Sequence, residues 1–326
     1  MNVVVTGVAG FIGYHCAAAL LARGDTVIGV DNLNDYYDVA LKEARLARLI
    51  DQKKFRFEKL DIAAPDAFTT LLNKSGEIDR VLHLAAQAGV RYSLTHPDPY
   101  IQTNIVGHLN VLEACRHAFR IEHLVYASSS SVYGANDTLP FSIDDRVDQP
   151  VSLYAATKRS GELISQSYSH LYRMPQTGLR FFTVYGPWGR PDMSAYIFTR
   201  AIFEGRPISV FNNGEMSRDF TYIDDIVAGV LTALDRPPLD DGERPPHRLY
   251  NLGNHRSEPL MRFIEVLEAA CGRKAIIEFT DMQPGDVEAT YADIEASQRD
   301  LGFQPKTTID EGLAKFVAWF REYHKL

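Results

Sequence analysis

The chain has 326 residues, 45% of them hydrophobic, and a formal net charge of −8 at neutral pH. That length allows one large domain or two medium ones around real cores, and the acidic balance argues against nucleic acid as the main partner, since phosphate backbones demand clustered cations. No apolar run approaches the ~18 residues needed to span a bilayer, and no basic leader precedes the first strand, so a soluble cytoplasmic protein without a membrane partner is expected.

In chain order, Asn2–Thr6 reads as a strand, Phe11–Arg23 as a helix, and Thr26–Asp31, Phe55–Lys59 and Arg80–Leu84 as further strands. A helical pattern over Tyr100–Phe119 follows, then a strand at Leu124–Ala127, a helix at Leu153–Tyr172 and a strand at Gln176–Phe181. This β/α alternation predicts an α/β fold, a doubly wound parallel sheet of Rossmann type with helices on both faces. After Phe182 the pattern turns irregular, with loops at Tyr185–Pro191 and Pro237–Pro246, and Phe220–Val227 starts another helix. Thr308–Tyr323 reads as an amphipathic helix opened by a Thr308/Glu311 capping box. Cys16, Cys115 and Cys271 stand far apart in no metal-ligand spacing, so they read as reduced core thiols and no metal is expected.

Gly7, Gly10 and Gly13 follow the first strand and open the first helix, with Phe11 and Ile12 between them. Glycine permits the tight turn and lets backbone N–H groups approach a pyrophosphate at a helix N-terminus. The spacing is GxxGxxG rather than GxGxxG. Asp31, with Asn32 beside it, lies about 20 residues on, where a carboxylate binds an adenosine ribose diol and repels a 2′-phosphate. The expected cofactor is therefore NAD rather than NADP. Tyr154 and Lys158, four apart on a helix, point to one face, where the lysine can stabilise a phenolate beside a bound nicotinamide. A free tyrosine has a pKa of ~10, so bringing it near neutrality takes about three units, or ~4 kcal/mol. Lys158 and the positive nicotinamide have the right sign of field to supply it.

The glycine loop together with Tyr154-Ala-Ala-Thr-Lys158 resembles the extended short-chain dehydrogenase/reductases, almost end to end. The resemblance implies that Asp61 and Ile62 flank the adenine, that Leu84, Ala85, Ala86 and Gln87 line the cofactor, and that Ser129 completes a triad with Tyr154 and Lys158. It also implies an NAD-binding domain over 1–182 and a smaller mixed α/β substrate domain over 183–326, with part of 218–253 returning to the first. Dehydratases of this class carry Thr-Asp-Glu where this chain has Ser129-Ser130-Ser131, which argues against loss of water. The stretches Asp31–Asp38, Gln87–Ser93, Tyr185–Met193, Ser217–Asp225 and Gln283–Val287 are similar to those of one subgroup, the UDP-glucuronate 4-epimerases.

That likeness implies oxidation at C4 of UDP-glucuronate and return of the hydride to the other face, giving UDP-galacturonate without loss of CO2. NAD would be regenerated in each cycle and stay tightly bound, resting as NAD+. Ser130, Ser131, Thr183 and Arg190 would hold the carboxylate by charge-assisted hydrogen bonds. Arg218 would meet the diphosphate, Val210 and its neighbours in Pro207–Phe211 the uracil, and Asp286 the uridine ribose. Gln283 stands where many class members have Arg, so part of the diphosphate charge would be balanced elsewhere. A homodimer through the helices at Tyr100–Phe119 and Leu153–Tyr172 is expected from the class. The rival readings are a UDP-glucuronate decarboxylase making UDP-xylose, a 4-epimerase of a neutral or N-acetylated UDP-hexose, and a non-catalytic NAD-binding protein.

Overall fold

A computed structural model describes residues 1–118, 121–283 and 286–326. Phe119, the expected end of one helix, and Pro284 and Gly285, inside Gln283–Val287, lie outside the described residues. The strands are β1 Asn2–Thr6, β2 Thr26–Asp31, β3 Phe55–Lys59, β4 Arg80–His83, β5 His123–Ser129, β6 Gln176–Phe181, β7 Thr183–Tyr185, β8 Pro207–Phe211, β9 Ser217–Arg218, β10 Phe220–Tyr222, β11 His247–Leu252, β12 Glu258–Pro259 and β13 Ile276–Thr280. The helices are α1 Phe11–Arg23, α2 Val39–Ala47, α3 Ala67–Lys74, α4 Asp98–Ile101, α5 His108–His117, α6 Leu153–Tyr172, α7 Ser194–Glu204, α8 Ile223–Asp235, α9 Leu260–Cys271, α10 Glu295–Leu301 and α11 Ile309–His324.

A seven-stranded parallel sheet runs β11-β6-β5-β4-β1-β2-β3. Strand side chains alternate between its faces. Val3 and Val5 enter one core with α1, α8 and the second half of the chain, whereas Val4 enters another with α3 and α5. Burial on both faces is why β1 reads as an unbroken apolar run. The strand order reverses between β1 and β4, so a crevice opens above their carboxyl ends, the position where such sheets bind ligands. Chain beyond Phe182 returns to the sheet: β11 pairs with β6, and the Leu234 carbonyl at the end of α8 accepts from Arg80 Nη1 at 2.8 Å.

Four elements differ from the sequence reading. The strand expected to stop at Ala127 continues to Ser129, which carries Ser128 and Ser129 to the mouth of the crevice. The helix expected from Tyr100 is divided into α4, a π turn at Gln102–Gly107 and α5, and such turns often mark functional sites. Its cause is tertiary: Asn104 in the π turn exchanges hydrogen bonds with the Gln87 backbone at 2.8 and 2.9 Å and reaches Thr157 Oγ1 at 3.0 Å. Of the segment expected to start a helix, Phe220–Tyr222 is a strand paired with β7, and the helix begins at Ile223. Only half the capping box forms. Thr308 Oγ1 accepts from the Glu311 N–H at 3.3 Å, while the Glu311 carboxylate turns to Lys315 at 2.6 Å. All three cysteines are free and buried, and among the described residues no helix is long and apolar enough to cross a membrane.

Burial keeps five histidines neutral: His15, His123 and His247 are each pushed down to about 4, His108 to about 3, and His83 well below its ordinary value. Unfolded, they take up protons at their ordinary 6.5. The unfolded chain therefore binds more protons below that pH, and stability falls as the pH drops from 6.5 towards 4. The urea midpoint should decline continuously over that window with an unfolding uptake of several protons. An unchanged midpoint between neutrality and pH ~5 would contradict this, since ordinary histidines titrate near 6.5.

Candidate functional site

A cleft of about 1280 Å³ runs along the carboxyl ends of the sheet and between the two halves of the chain. Single-ligand pockets usually fall at ~300–1,000 Å³, so this one has room for two ligands end to end. Every site residue named from the sequence lines it except Val210. Val210 is fully buried in β8, and its neighbours Ile208, Ser209 and Phe211 reach the cleft instead. Any contact from Val210 is therefore limited to its backbone.

One end of the cleft is a phosphate cradle. Gly7 has φ +72°, and a Cβ there would lie 2.8 Å from the Ala85 nitrogen. A Cβ on Gly13 would lie 2.0 Å from the Gly7 carbonyl oxygen. Both positions therefore require glycine. No side chain caps the N-terminus of α1 and no acidic residue lies in its first turn, so its leading N–H groups and positive dipole end face the cleft, as an anion site requires. At the end of β2, Asp31 accepts from the Ala9 N–H at 3.0 Å and the Leu33 N–H at 2.8 Å. Burial raises its pKa, and those bonds with the charges of Lys42 and Arg45 oppose the rise. Asn32 donates to Asp61 across this end at 3.2 Å. The residues present fit a dinucleotide.

At the centre lie Ser129, Tyr154 and Lys158. Ser152 caps α6 by accepting from the Ala155 N–H at 3.1 Å, so the first turn presents Tyr154 and the second Lys158 to the same side. Ser129 Oγ lies 3.2 Å from both the hydroxyl and the N–H of Ser131. The Lys158 ammonium donates to the Ala127 carbonyl at 3.0 Å, and burial pushes its pKa down to about 8 against the pull of Glu162. The expected depression of Tyr154 is absent from the chain alone. Burial raises the phenol, and the Ser129 hydrogen bond and the Arg190 charge offset it only in part. Lys158, directed at a carbonyl, does not reverse that sign.

The far end gathers the residues expected to meet a substrate. Arg218 donates to the Ser217 carbonyl at 2.9 Å and the Glu288 carbonyl at 3.0 Å, and it has no ion-pair partner among the described residues. Burial lowers its pKa, so this is a cation held ready for an anion. Asp286 is ion-paired with Arg91 at 2.9 Å, and the Arg91 guanidinium stands 4.4 Å from the Phe211 ring centroid. Arg190 is not a free cation, because Asp192 accepts from it in a two-pronged pair. Asn104, Arg91, Tyr36 and Asp192 went unrecognised from the sequence. The last three lie inside the stretches used to recognise the subgroup, but only the fold brings them together.

Residues 3–253 match the NAD dependent epimerase/dehydratase family, and the chain belongs to it. Among its relatives, Protein CapI of Staphylococcus aureus is 49% identical over the full length of both chains. UDP-glucuronate 4-epimerase 4 of Arabidopsis thaliana is 48% identical, covering 99% of this chain and 76% of the plant protein. The crystal structure of UDP-glucuronic acid 4-epimerase from Bacillus cereus, in complex with UDP-glucuronic acid and NAD, superimposes with a TM-score of 0.91 at 33% identity, covering 99% of this chain and 100% of that one.

Proposed function

We propose that the protein is a UDP-glucuronate 4-epimerase that interconverts UDP-glucuronate and UDP-galacturonate through a transient 4-keto sugar. The observation that carries this reading is a single cleft with Ser129, Tyr154 and Lys158 between the uncapped end of α1 and the cation Arg218. The likeness to UDP-glucuronate epimerases over nearly the whole chain supports the choice of sugar.

Gly7, Phe11, Ile12 and Gly13 would hold the cofactor diphosphate through backbone N–H groups, and Asp31 the adenosine ribose. NAD, when bound, supplies the hydride acceptor for C4, the donor that returns the hydride, and a positive charge beside the phenol. Tyr154 takes the O4 proton on oxidation and gives it back on reduction, while Ser129 holds O4 in line by a hydrogen bond. Lys158, one turn along α6 from Tyr154, supplies a cation of the sign that favours the phenolate. Ser130, Ser131 and Thr183 hold the sugar carboxylate against out-of-plane rotation, which would release CO2 from a β-keto acid. Arg218 anchors the diphosphate while the hexose turns over, so remote binding energy retains the intermediate.

The reading divides the chain into a cofactor domain over 1–182 and a substrate domain over 183–326, with part of 218–253 belonging to the first. We also assign a cytoplasmic homodimer. Ile101, Leu109, Leu163, Leu171 and Tyr172 on or beside α4, α5 and α6 are exposed apolar side chains, which supports pairing of these helices. Incubating the purified protein with UDP-glucuronate and no added NAD should yield UDP-galacturonate by NMR, with no pentose. UDP-pentose would convert the reading to a decarboxylase, and no turnover even after NAD is supplied would exclude the uronate.

A further inference from the structure

Arg190 reaches the sugar end of the cleft already engaged. Its Nε donates to Asp192 Oδ1 at 2.9 Å and one Nη to Oδ2, so the side-on fork of the guanidinium is occupied. Asp192 is itself held: Tyr36 donates to Oδ2 at 2.9 Å. Tyr36 gets there by crossing Gly89, where a Cβ would lie 2.4 Å from the phenolic oxygen. Its ring meets Tyr92 edge-on at 4.9 Å. Tyr36 also lies five residues beyond Asp31, so one strut joins the adenosine end of the cleft to the sugar end. The pair lines the same cleft as the acid–base group Tyr154, and the charges of both Arg190 and Asp192 act on it.

We infer that Asp192 is a positioning residue which keeps Arg190 from clamping the sugar carboxylate side-on, with Tyr36 as the strut that fixes it. This rests on the proposed uronate reading. An arginine with a free side-on fork forms a strong bidentate pair with a carboxylate. Such a pair would bind substrate well but tether a sugar that must turn its other face mid-reaction. With Asp192 in that fork, the substrate carboxylate meets an arginine whose charge is compensated and which retains only its end-on donors.

The test is Asp192→Asn in the holoenzyme, with Tyr36→Phe as a milder variant that removes only one hydroxyl and Asp192→Glu as a rescue. For UDP-glucuronate, Asp192→Asn should lower KM and Kd by about threefold and kcat by about tenfold or more, the signature of an over-stabilised ground state. Tyr36→Phe should shift both in the same direction by less, and Asp192→Glu should restore kcat. Affinity for UDP-glucose, which has no carboxylate, should not change. The acidic limb of the pH–kcat profile should move to lower pH, because the Arg190 charge then acts on Tyr154 uncompensated; Tyr100 from α4, in edge contact with Tyr154, and Lys158 one turn along α6 are unaltered. A raised KM with unchanged kcat, or equal effects on UDP-glucose, would overturn the inference and leave Asp192 a structural residue. No turnover of UDP-glucuronate by the unaltered protein would instead overturn the functional reading, whereas normal turnover with no change in Asp192→Asn would overturn this inference alone.

Discussion

Tyr154→Phe should lower kcat for UDP-glucuronate by about 10²–10⁴, the usual contribution of a positioned acid–base group. The ring remains, so its edge contact with Tyr100, with centroids 6.0 Å apart, and the shape of the cleft persist. Affinity for UDP-glucuronate in the holoenzyme should accordingly stay within about twofold. Reduced-nicotinamide absorbance in a single turnover separates the possibilities: it should fail to develop, because O4 cannot lose its proton as hydride leaves. A variant within about tenfold of native activity would assign proton transfer elsewhere. In the native enzyme, burial raises the phenol, so the rate should rise with pH on the acidic side. Replacing Lys158 by methionine should move that limb to higher pH, since it removes the nearest fixed cation on α6.

The sheet was legible because its physics is local. Strands buried on both faces are apolar runs, and the glycines of the phosphate turn have no alternative where a Cβ would strike backbone. β11 was not legible: His247-Arg-Leu-Tyr-Asn-Leu252 is half polar and follows a Pro-rich loop, and only its pairing with β6 makes it a strand. The π turn is set by Asn104 reaching Gln87 and Thr157, contacts separated by 17 and 53 residues. Periodicity carries no trace of either.

For the site, residue types in motifs pointed to the right region, but not to the state of each group. Tyr154 and Lys158 were placed on one face from spacing alone. The sign of the phenol's shift was not available from spacing, because it depends on burial and on a lysine whose hydrogen bond goes to a backbone carbonyl. Arg190 read as a free cation because its partner sits two residues on, in a turn whose geometry no pattern encodes. The same turn brings in Tyr36 from the other end of the cleft.

Arg180→Met should be the most destabilising single change in the sheet. Arg180 and Glu162 are each 1% exposed and joined by two bonds, of 2.8 and 2.9 Å. Ser128 and Arg159 complete the set around Glu162, at 2.6 and 2.8 Å. Removing the arginine breaks the fully buried half of this set and leaves Glu162 only Ser128 and the partly exposed Arg159; breaking a buried pair costs about 3–5 kcal/mol, whereas replacing both partners with apolar side chains is often neutral. Arg180→Met/Glu162→Leu should therefore recover most of the stability lost by Arg180→Met in urea unfolding. It should not recover activity. Glu162 is the charge that opposes the fall in Lys158's pKa caused by burial, and without it that pKa falls further. The double variant should fold well yet epimerise poorly at neutral pH, because fewer molecules then combine a protonated Lys158 with an ionised Tyr154. A stable double variant with native activity at neutral pH would show that Glu162 serves the fold alone.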